Sequence, residues 1–281
     1  MSDGKQALIE IYARQLRIPT FGRYQNVLRD ATQHGWNYEE FLCELMSAEI
    51  AQRRENQQRR RVKAAAFPLI KTLDTFDFKQ LPNLDAERVW QIADGSYISN
   101  HENLVLIGNP GTGKTHLAVA LGVRACAKGF KVRFTTASSL AAELVEAQQQ
   151  GRLLKLMRQL SKTDLLILDE LSYLTLSKQQ AELLFQALGD RTERASLIVT
   201  TNLEFSRWTE VFGDSMMTAA LVDRLTHKSY ILDMNGESYR LKQRRRETEY
   251  NLSGADHIQM STTGSLPREQ GGGADKNLDS N

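Results

Sequence analysis

A chain of 281 residues with an apolar fraction of 41% can bury the core of one α/β domain and still carry a smaller appendage. Basic and acidic residues nearly cancel at a net charge of +2, so only the local placement of charge is informative. No apolar run approaches a membrane span and MSDGKQALIE lacks a signal-peptide core, which excludes a membrane protein and points to the cytoplasm. Cys43 and Cys126 lie far apart in helical patterns and read as buried, reduced thiols. The five histidines show no metal-ligand spacing.

Near the N-terminus, Leu8, Ile11 and Tyr12 fall at helical spacing until Ile18-Pro19 interrupts. Tyr24, Val27, Leu28 and Ala31 mark a second short helix, ended by His34-Gly35. Asn37 with Glu40 three residues on has the form of a capping box. The helix it opens is expected to turn Phe41, Leu42, Leu45, Met46 and Ala48 inward. Three helices thus predict a small all-α N-terminal domain over residues 1–66. The third changes character after Gln52. Six cations (Arg53, Arg54, Arg59, Arg60, Arg61 and Lys63) accompany one acid, Glu55, with no apolar stripe to bury. The run is either a solvated charged helix or a contact to nucleic-acid phosphates that relieves its self-repulsion.

Phe67-Pro68 stops that helix, and Thr72 to Phe78 reads as extended. Phe76 and Phe78 are either core or a wall for a nucleotide base. A helical stretch lies between Leu84 and Tyr97. Then the apolar run Leu104 to Ile107 is followed at once by GNPGTGKT, Gly108 to Thr115, and by a helical pattern from His116 to Lys128-Gly129. Strand, glycine loop and helix in that order form a phosphate loop. Gly108, Gly111 and Gly113 let backbone N–H groups turn inward on a polyphosphate, with Asn109, Pro110 and Thr112 between them and His116 just behind. Lys114 is placed to reach the β- and γ-phosphates, the Thr115 hydroxyl to ligate Mg²⁺, and the helix to aim its positive end at the same anion. The chain is expected to bind a nucleoside triphosphate.

Phe130 to Phe134 alternates as a strand, and Ser138 or Ser139 caps a helix carrying Leu140, Leu144 and Ala147. After Gly151, Leu153, Leu154, Met157 and Leu160 continue a helical face, with Arg152, Lys155 and Arg158 on or beside the opposite one. Leu165 to Leu168 is a buried strand tipped by Asp169 and Glu170. A helix from Gln179 to Leu188, a strand from Ser196 to Asn202, a helix from Thr218 to Arg224, an extended Tyr230 to Asp233 and a basic helix from Glu237 to Glu249 follow. Strands alternating with helices predict an α/β fold with a parallel sheet, its ligand at the strand C-termini. The core is expected over residues 67–250, and the tail over 251–281 has little to bury and is expected to be disordered.

Asp169 is placed to hold Mg²⁺ and Glu170 to polarise an attacking water, which favours hydrolysis over phosphoryl transfer. Asn202 is either a turn residue or a hydrogen-bonding partner of the γ-phosphate or that water. Arg224 and Arg240, in ALVDRLTH and GESYRL, read equally well as surface ion-pair partners.

Together, GNPGTGKTHLA, KVRFTT, DLLILDELSYL, SLIVTTN, WTEVFGD, AALVDRLTH and GESYRL resemble the IstB-type transposition helper ATPases of insertion sequences. These are AAA+ proteins of the initiator clade, related to the helicase loader DnaC. The resemblance spans Leu8 to Arg246. It implies an AAA+ P-loop NTPase core with a parallel sheet flanked by helices, using ATP and Mg²⁺. It places Walker A at Gly108 to Thr115, Walker B at Asp169-Glu170 and sensor-1 at Asn202. Arg224 matches the arginine that enters a neighbouring subunit's ATP site, and Arg240 a sensor-2-like residue at an abbreviated lid. A homo-oligomer formed with ATP is thereby implied. So are double-stranded DNA as a partner, a cognate IstA-type transposase to which target DNA is delivered, and hydrolysis that drives disassembly. The cations from Arg53 to Lys63, with Arg152, Lys155 and Arg158, fit the DNA contact. A DnaC-like helicase loader is the alternative, and a small-molecule kinase is disfavoured by Glu170, Asn202, Arg224 and the basic helix.

Overall fold

The computed structural model describes residues 2–172, 175–239, 241 and 244. Residues up to Glu237 form one unit and those from Ser238 a second. Of the basic helix expected from Glu237 to Glu249, Tyr239, Leu241 and Arg244 are helical; the remainder, with Arg240 and the tail over 251–281, lies outside the described residues. None of the described helices is long and apolar enough to cross a membrane.

The chain begins with α1 (Ser2–Gln15), a 3₁₀ turn at Pro19–Arg23, and α2 (Gln25–His34), which Gly35 ends in the left-handed region at φ 66°. Next comes α3 (Tyr38–Ala64). Its start is fixed by the capping box: Glu40 N donates to Asn37 Oδ1 at 2.9 Å, and Asn37 N to Glu40 Oε2 at 2.8 Å. At 27 residues, α3 is about 40 Å long. It faces inward through Leu45, as expected, and through Glu49, which was not expected; the other expected residues are less covered. Leu42 and Met46 are exposed, and Phe41 and Ala48 only half-buried. Cys43, expected to be buried, is exposed as well. The reason is that α1 and α2 are too short and polar to cover α3 all round, and the inner stripe is anchored by a charge. The buried Glu49 carboxylate accepts from Thr20 N at 3.0 Å and from Arg53 Nε at 2.7 Å. Its burial would raise its pKa, but these hydrogen bonds, with the Arg53 charge, outweigh that and lower it.

The basic end of α3 joins the core. Val62 packs on buried apolar residues, Ala65 is fully buried, and Ala65 O accepts from Phe134 N at 2.8 Å. Arg61 Nε donates to Cys126 O at 2.8 Å. Burial pushes the Cys126 thiol up to about 11, against the opposing charge of Arg61, so this cysteine is an inert core thiol. The expectation that the cationic run has nothing to bury therefore fails at its last turns.

Two 3₁₀ turns, Leu73–Thr75 and Phe78–Gln80, replace the extended lead-in expected there. In chain order there follow α4 (Ala86–Ile92), α5 (Ser96–Ser99), β1 (Asn103–Ile107), α6 (Lys114–Lys128), β2 (Val132–Thr136), α7 (Ala137–Gln149) and α8 (Leu153–Ser161). Then come β3 (Leu165–Asp169), α9 (Lys178–Gly189), β4 (Ser196–Thr201), α10 (Thr209–Phe212), α11 (Ser215–Thr226) and β5 (Ser229–Asp233). Thr136, not Ser138 or Ser139, caps α7 by accepting from Ser139 N. On α8, Leu156 and Leu160 are buried while Leu154 points to solvent.

Among the described residues, five strands form one parallel sheet in the order β2-β3-β4-β1-β5. Their side chains alternate between two cores. Leu104, Leu106, Leu165, Ile167 and Ile198 face α6, with Val89 of α4 and Tyr97 of α5 in the same core. Val105, Leu166, Leu168, Leu197 and Val199 share the other with α7, α8, α9 and α11. Both faces are covered, as continuous apolar strands require. Register aligns the strand C-termini, with Thr136 beside Asp169 and Ile107 between Thr201 and Asp233.

Arg61→Gln is expected to lower unfolding stability by roughly 1 kcal/mol through loss of its hydrogen bond to Cys126 O, which then keeps only the Gly129 N–H, and exposed Arg60→Gln by almost nothing. Thermal melts of the two variants test this; equal melting temperatures would return Arg61 to the exposed set.

Candidate nucleotide site

Ile107 ends β1, and the loop that follows is glycine-built for a steric reason. A Cβ on Gly108 would lie 2.4 Å from the carbonyl carbon and oxygen of Met234, because the chain leaving β5 crosses directly over it. Met234 N donates to Ile107 O at 2.7 Å, which fixes that crossing. Gly113 then caps α6 at φ 93°, with the Phe76 ring beneath it, and Gly111 also lies in the left-handed region. Thr112 Oγ1 donates back to Asn109 O at 2.9 Å. The result is a concave turn at a helix N-terminus, a shape that suits an anion. Lys114 Nζ lies within it, donating to Gly108 O at 2.6 Å and Asn109 O at 2.7 Å.

Opposite the loop, Asp169 ends β3 and is only 3% exposed. Thr115 Oγ1 donates to both its oxygens, at 2.9 and 3.0 Å, and Thr200 Oγ1 to one of them at 2.5 Å. The fold thus brings together the hydroxyl and the carboxylate that the sequence nominates for a metal, two hard oxygen donors of the kind Mg²⁺ takes. Among the described residues no group of three or more His, Cys, Asp or Glu side chains is arranged to hold a metal ion. A divalent ion at Thr115 and Asp169 would therefore draw its other oxygens from water and phosphate.

Glu170 leaves the strand in the left-handed region at φ 59°, where a non-glycine residue is uncommon, and its side chain is exposed. Its backbone N–H donates to Thr200 Oγ1 at 2.9 Å. One hydroxyl on β4 therefore ties down both carboxylate-bearing residues. Thr200 was not singled out in the sequence; its only signal is a hydroxyl residue near the tip of a buried strand.

Asn202 lies just beyond β4, half-buried, with its N–H donating to Ser172 Oγ at 3.3 Å. His116, on the first turn of α6, makes Nε2 contacts to Thr72 O at 3.1 Å and Thr75 Oγ1 at 3.3 Å and meets the Phe76 ring edge-on. Burial lowers its pKa, with the Lys71 charge in the same direction and the Thr72 hydrogen bond partly opposing. Phe76 is buried and packs on Phe78, so the 3₁₀ turns back the phosphate loop. Arg224 is not drawn into the cluster. It lies exposed on α11, with its guanidinium 5.1 Å from the Phe185 ring of α9.

The expected DNA-contacting cations divide. Arg54, Arg60 and Lys63 are exposed on α3, and Arg152, Lys155 and Arg158 on or beside α8. Arg53 is paired with Glu49 and donates to Arg17 O at 2.6 Å, Arg59 is paired with Glu55, Arg152 lies 3.9 Å from Glu146, and Arg61 is turned into the core.

Residues 12–247 match the model of the family described as IstB-like ATP binding protein. The chain belongs to that family. It is 39% identical over 242 residues to a protein of Geobacillus stearothermophilus named as an ATP-binding protein of insertion sequence IS5376, covering 86% of this chain and 96% of that one. It is 42% identical over 222 residues to a similarly named protein of insertion sequence IS21 from Pseudomonas aeruginosa, covering 79% and 84%. Among solved structures, AMPPCP-bound DnaA from Aquifex aeolicus superposes with a TM-score of 0.52 at 19% identity, over 66% of this chain and 56% of that one. That likeness concerns the fold alone, a parallel sheet flanked by helices.

Thr200→Val should leave nucleotide affinity nearly intact and lower ATP turnover by roughly 10-fold, about 1.4 kcal/mol. Thr200→Ser should restore it. Equal turnover in the valine and wild-type proteins would show that the hydroxyl does not position Glu170.

Proposed function

We propose that this IstB-like protein hydrolyses ATP, assembles on duplex DNA as a nucleotide-dependent homo-oligomer, and presents that DNA to the transposase of its insertion sequence. The observation that carries the reading is the joining of Thr115 to Asp169 with Glu170 one residue beyond. A phosphate loop and a buried acid bind nucleotide; an exposed acid beside them supplies what hydrolysis needs.

In this reading Gly108 to Thr115 wrap the polyphosphate, and Lys114 exchanges its loop carbonyls for phosphate oxygens. Thr115 and Asp169 would hold Mg²⁺, and the ion would supply charge to offset that of the phosphates. Glu170 accepts a proton from the attacking water, and Asn202 orients that water or the γ-phosphate. His116 and Phe76 keep the segment behind the loop in place. Arg224, exposed on the surface of α9 and α11, serves the site of a neighbouring subunit, where a guanidinium steadies charge on the γ-phosphate. Residues 1–66 and the basic edge of α8 grip DNA, and residues 67–250 act as the ATPase, with Arg240 as a sensor-2-like residue. Phosphate contact falls to Arg54, Arg59, Arg60 and Lys63 of α3 with Arg152, Lys155 and Arg158; Arg53 contributes only by leaving Glu49. The family membership and the insertion-sequence relatives support the transposition role.

Glu170→Gln should bind ATP, hydrolyse it at least about 100-fold more slowly, and remain on DNA as a trapped oligomer. Normal turnover would remove Glu170 from the mechanism. Arg224→Ala should keep nucleotide affinity and lose oligomer-dependent hydrolysis. Mixed with Glu170→Gln subunits it should regain turnover, because each variant supplies what the other lacks; an inert mixture would sink the action in trans. Binding to duplex DNA should weaken steeply with salt, and replacing Arg54, Arg60 and Lys63 by Gln should flatten the log–log slope by about 2–3. An unchanged slope would leave α3 a solvated helix.

A further inference from the structure

Arg224 is exposed on α11, yet its guanidinium has a defined seat. Its central carbon lies 5.1 Å from the centroid of the Phe185 ring, and Nη1 occupies a spot 2.8 Å from where a Cβ on Gly189 would be. Phe185 and Gly189 are four residues apart at the C-terminal end of α9 and so share one face of that helix. The glycine has no other evident purpose. Its backbone is not in the left-handed region, so no turn demands it, and alanine is the better helix residue. Apart from its chain neighbours and its own helix, a Cβ there would meet only two described atoms within 4 Å, and both belong to Arg224.

We propose that Phe185 and Gly189 are positioning residues, which hold Arg224 aimed outward from the α9–α11 surface before subunits meet. The role rests on the reading of Arg224 as a residue that acts in a neighbouring subunit's ATP site. An exposed arginine otherwise samples many rotamers, and fixing it at the moment of reaction is costly. Three features restrict it here. The Phe185 ring attracts the guanidinium through its π-system. The absent side chain at Gly189 leaves room for Nη1. The last turn of α9 holds no basic residue of its own, so its carbonyl end favours a cation supplied from α11. Among the described residues the guanidinium makes no hydrogen bond or ion pair, so this seat leaves its N–H groups free for phosphate oxygens. A side chain ordered in advance raises turnover by making the reacting arrangement more frequent. ATP affinity should not change, because Arg224 is not drawn into the cluster around its own phosphate loop.

The test is ATP turnover by the full chain with Mg²⁺ and duplex DNA, in the mixture of Arg224→Ala with Glu170→Gln subunits. There one subunit supplies the acid and the other the arginine. Gly189→Ala placed in the Glu170→Gln subunit, which donates the arginine, should lower turnover by about 3-fold or more at an unchanged KM for ATP. The same change placed in the Arg224→Ala subunit should have no effect. Phe185→Leu in the arginine donor should act as Gly189→Ala does, and Phe185→Tyr, which keeps a ring, should retain turnover. Gly189→Ala should not lower the melting temperature, because only the tip of a flexible side chain has to move. Equal losses from both placements, or no loss from either, would overturn the positioning role and leave Arg224 in its own. A parent mixture without turnover would remove Arg224 from the neighbouring site, and the positioning role would fall with it.

Discussion

The mouth of the sheet depends on how one buried carboxylate is held. Asp169 is nearly inaccessible to water, and a buried charge is costly unless its oxygens accept hydrogen bonds. Thr115 reaches it from the first turn of α6 and Thr200 from the adjacent strand. The same Thr200 oxygen receives the N–H of Glu170 as the backbone passes through an unfavourable left-handed conformation. Loop, strand and the next acidic residue are therefore coupled through two hydroxyls.

A second constraint is the crossing of the chain after β5 over Gly108. Met234 leaves no space for a side chain there, so the loop's first glycine answers to the fold as much as to a ligand. Phe76 plays a similar part under Gly113, and His116 ties the 3₁₀ segment behind it to α6. The phosphate loop is thus clamped on two sides by chain distant in sequence. Such support holds a site in shape before any ligand arrives.

The long helix α3 joins two kinds of surface. Its C-terminal turn is core, through Val62, Ala65 and the Arg61–Cys126 hydrogen bond, so displacement at one end of the helix is resisted at the other. Its middle presents unpaired cations on one side and an apolar seam on another. One rigid helix thus links both faces to the α/β core.

The sequence by itself determined the parts whose information is local. Apolar runs set four of the five strands nearly to the residue, the capping box set the start of α3, and GNPGTGKT after a strand set the loop, because backbone geometry there is imposed by glycine and by alternation. The same runs predicted a parallel α/β sheet, and the family likeness carried by the motifs named its AAA+ type. Only the tertiary structure decided which residues of those elements meet. Thr200 became part of the site through its register beside Asp169, Arg61 left the cationic surface because Cys126 offers a carbonyl, and Leu42, Met46 and Cys43 turned outward because α1 and α2 cover one side of α3 only. Each outcome rests on a neighbour tens of residues away, and a periodic pattern records that a face is apolar without recording what, if anything, lies against it.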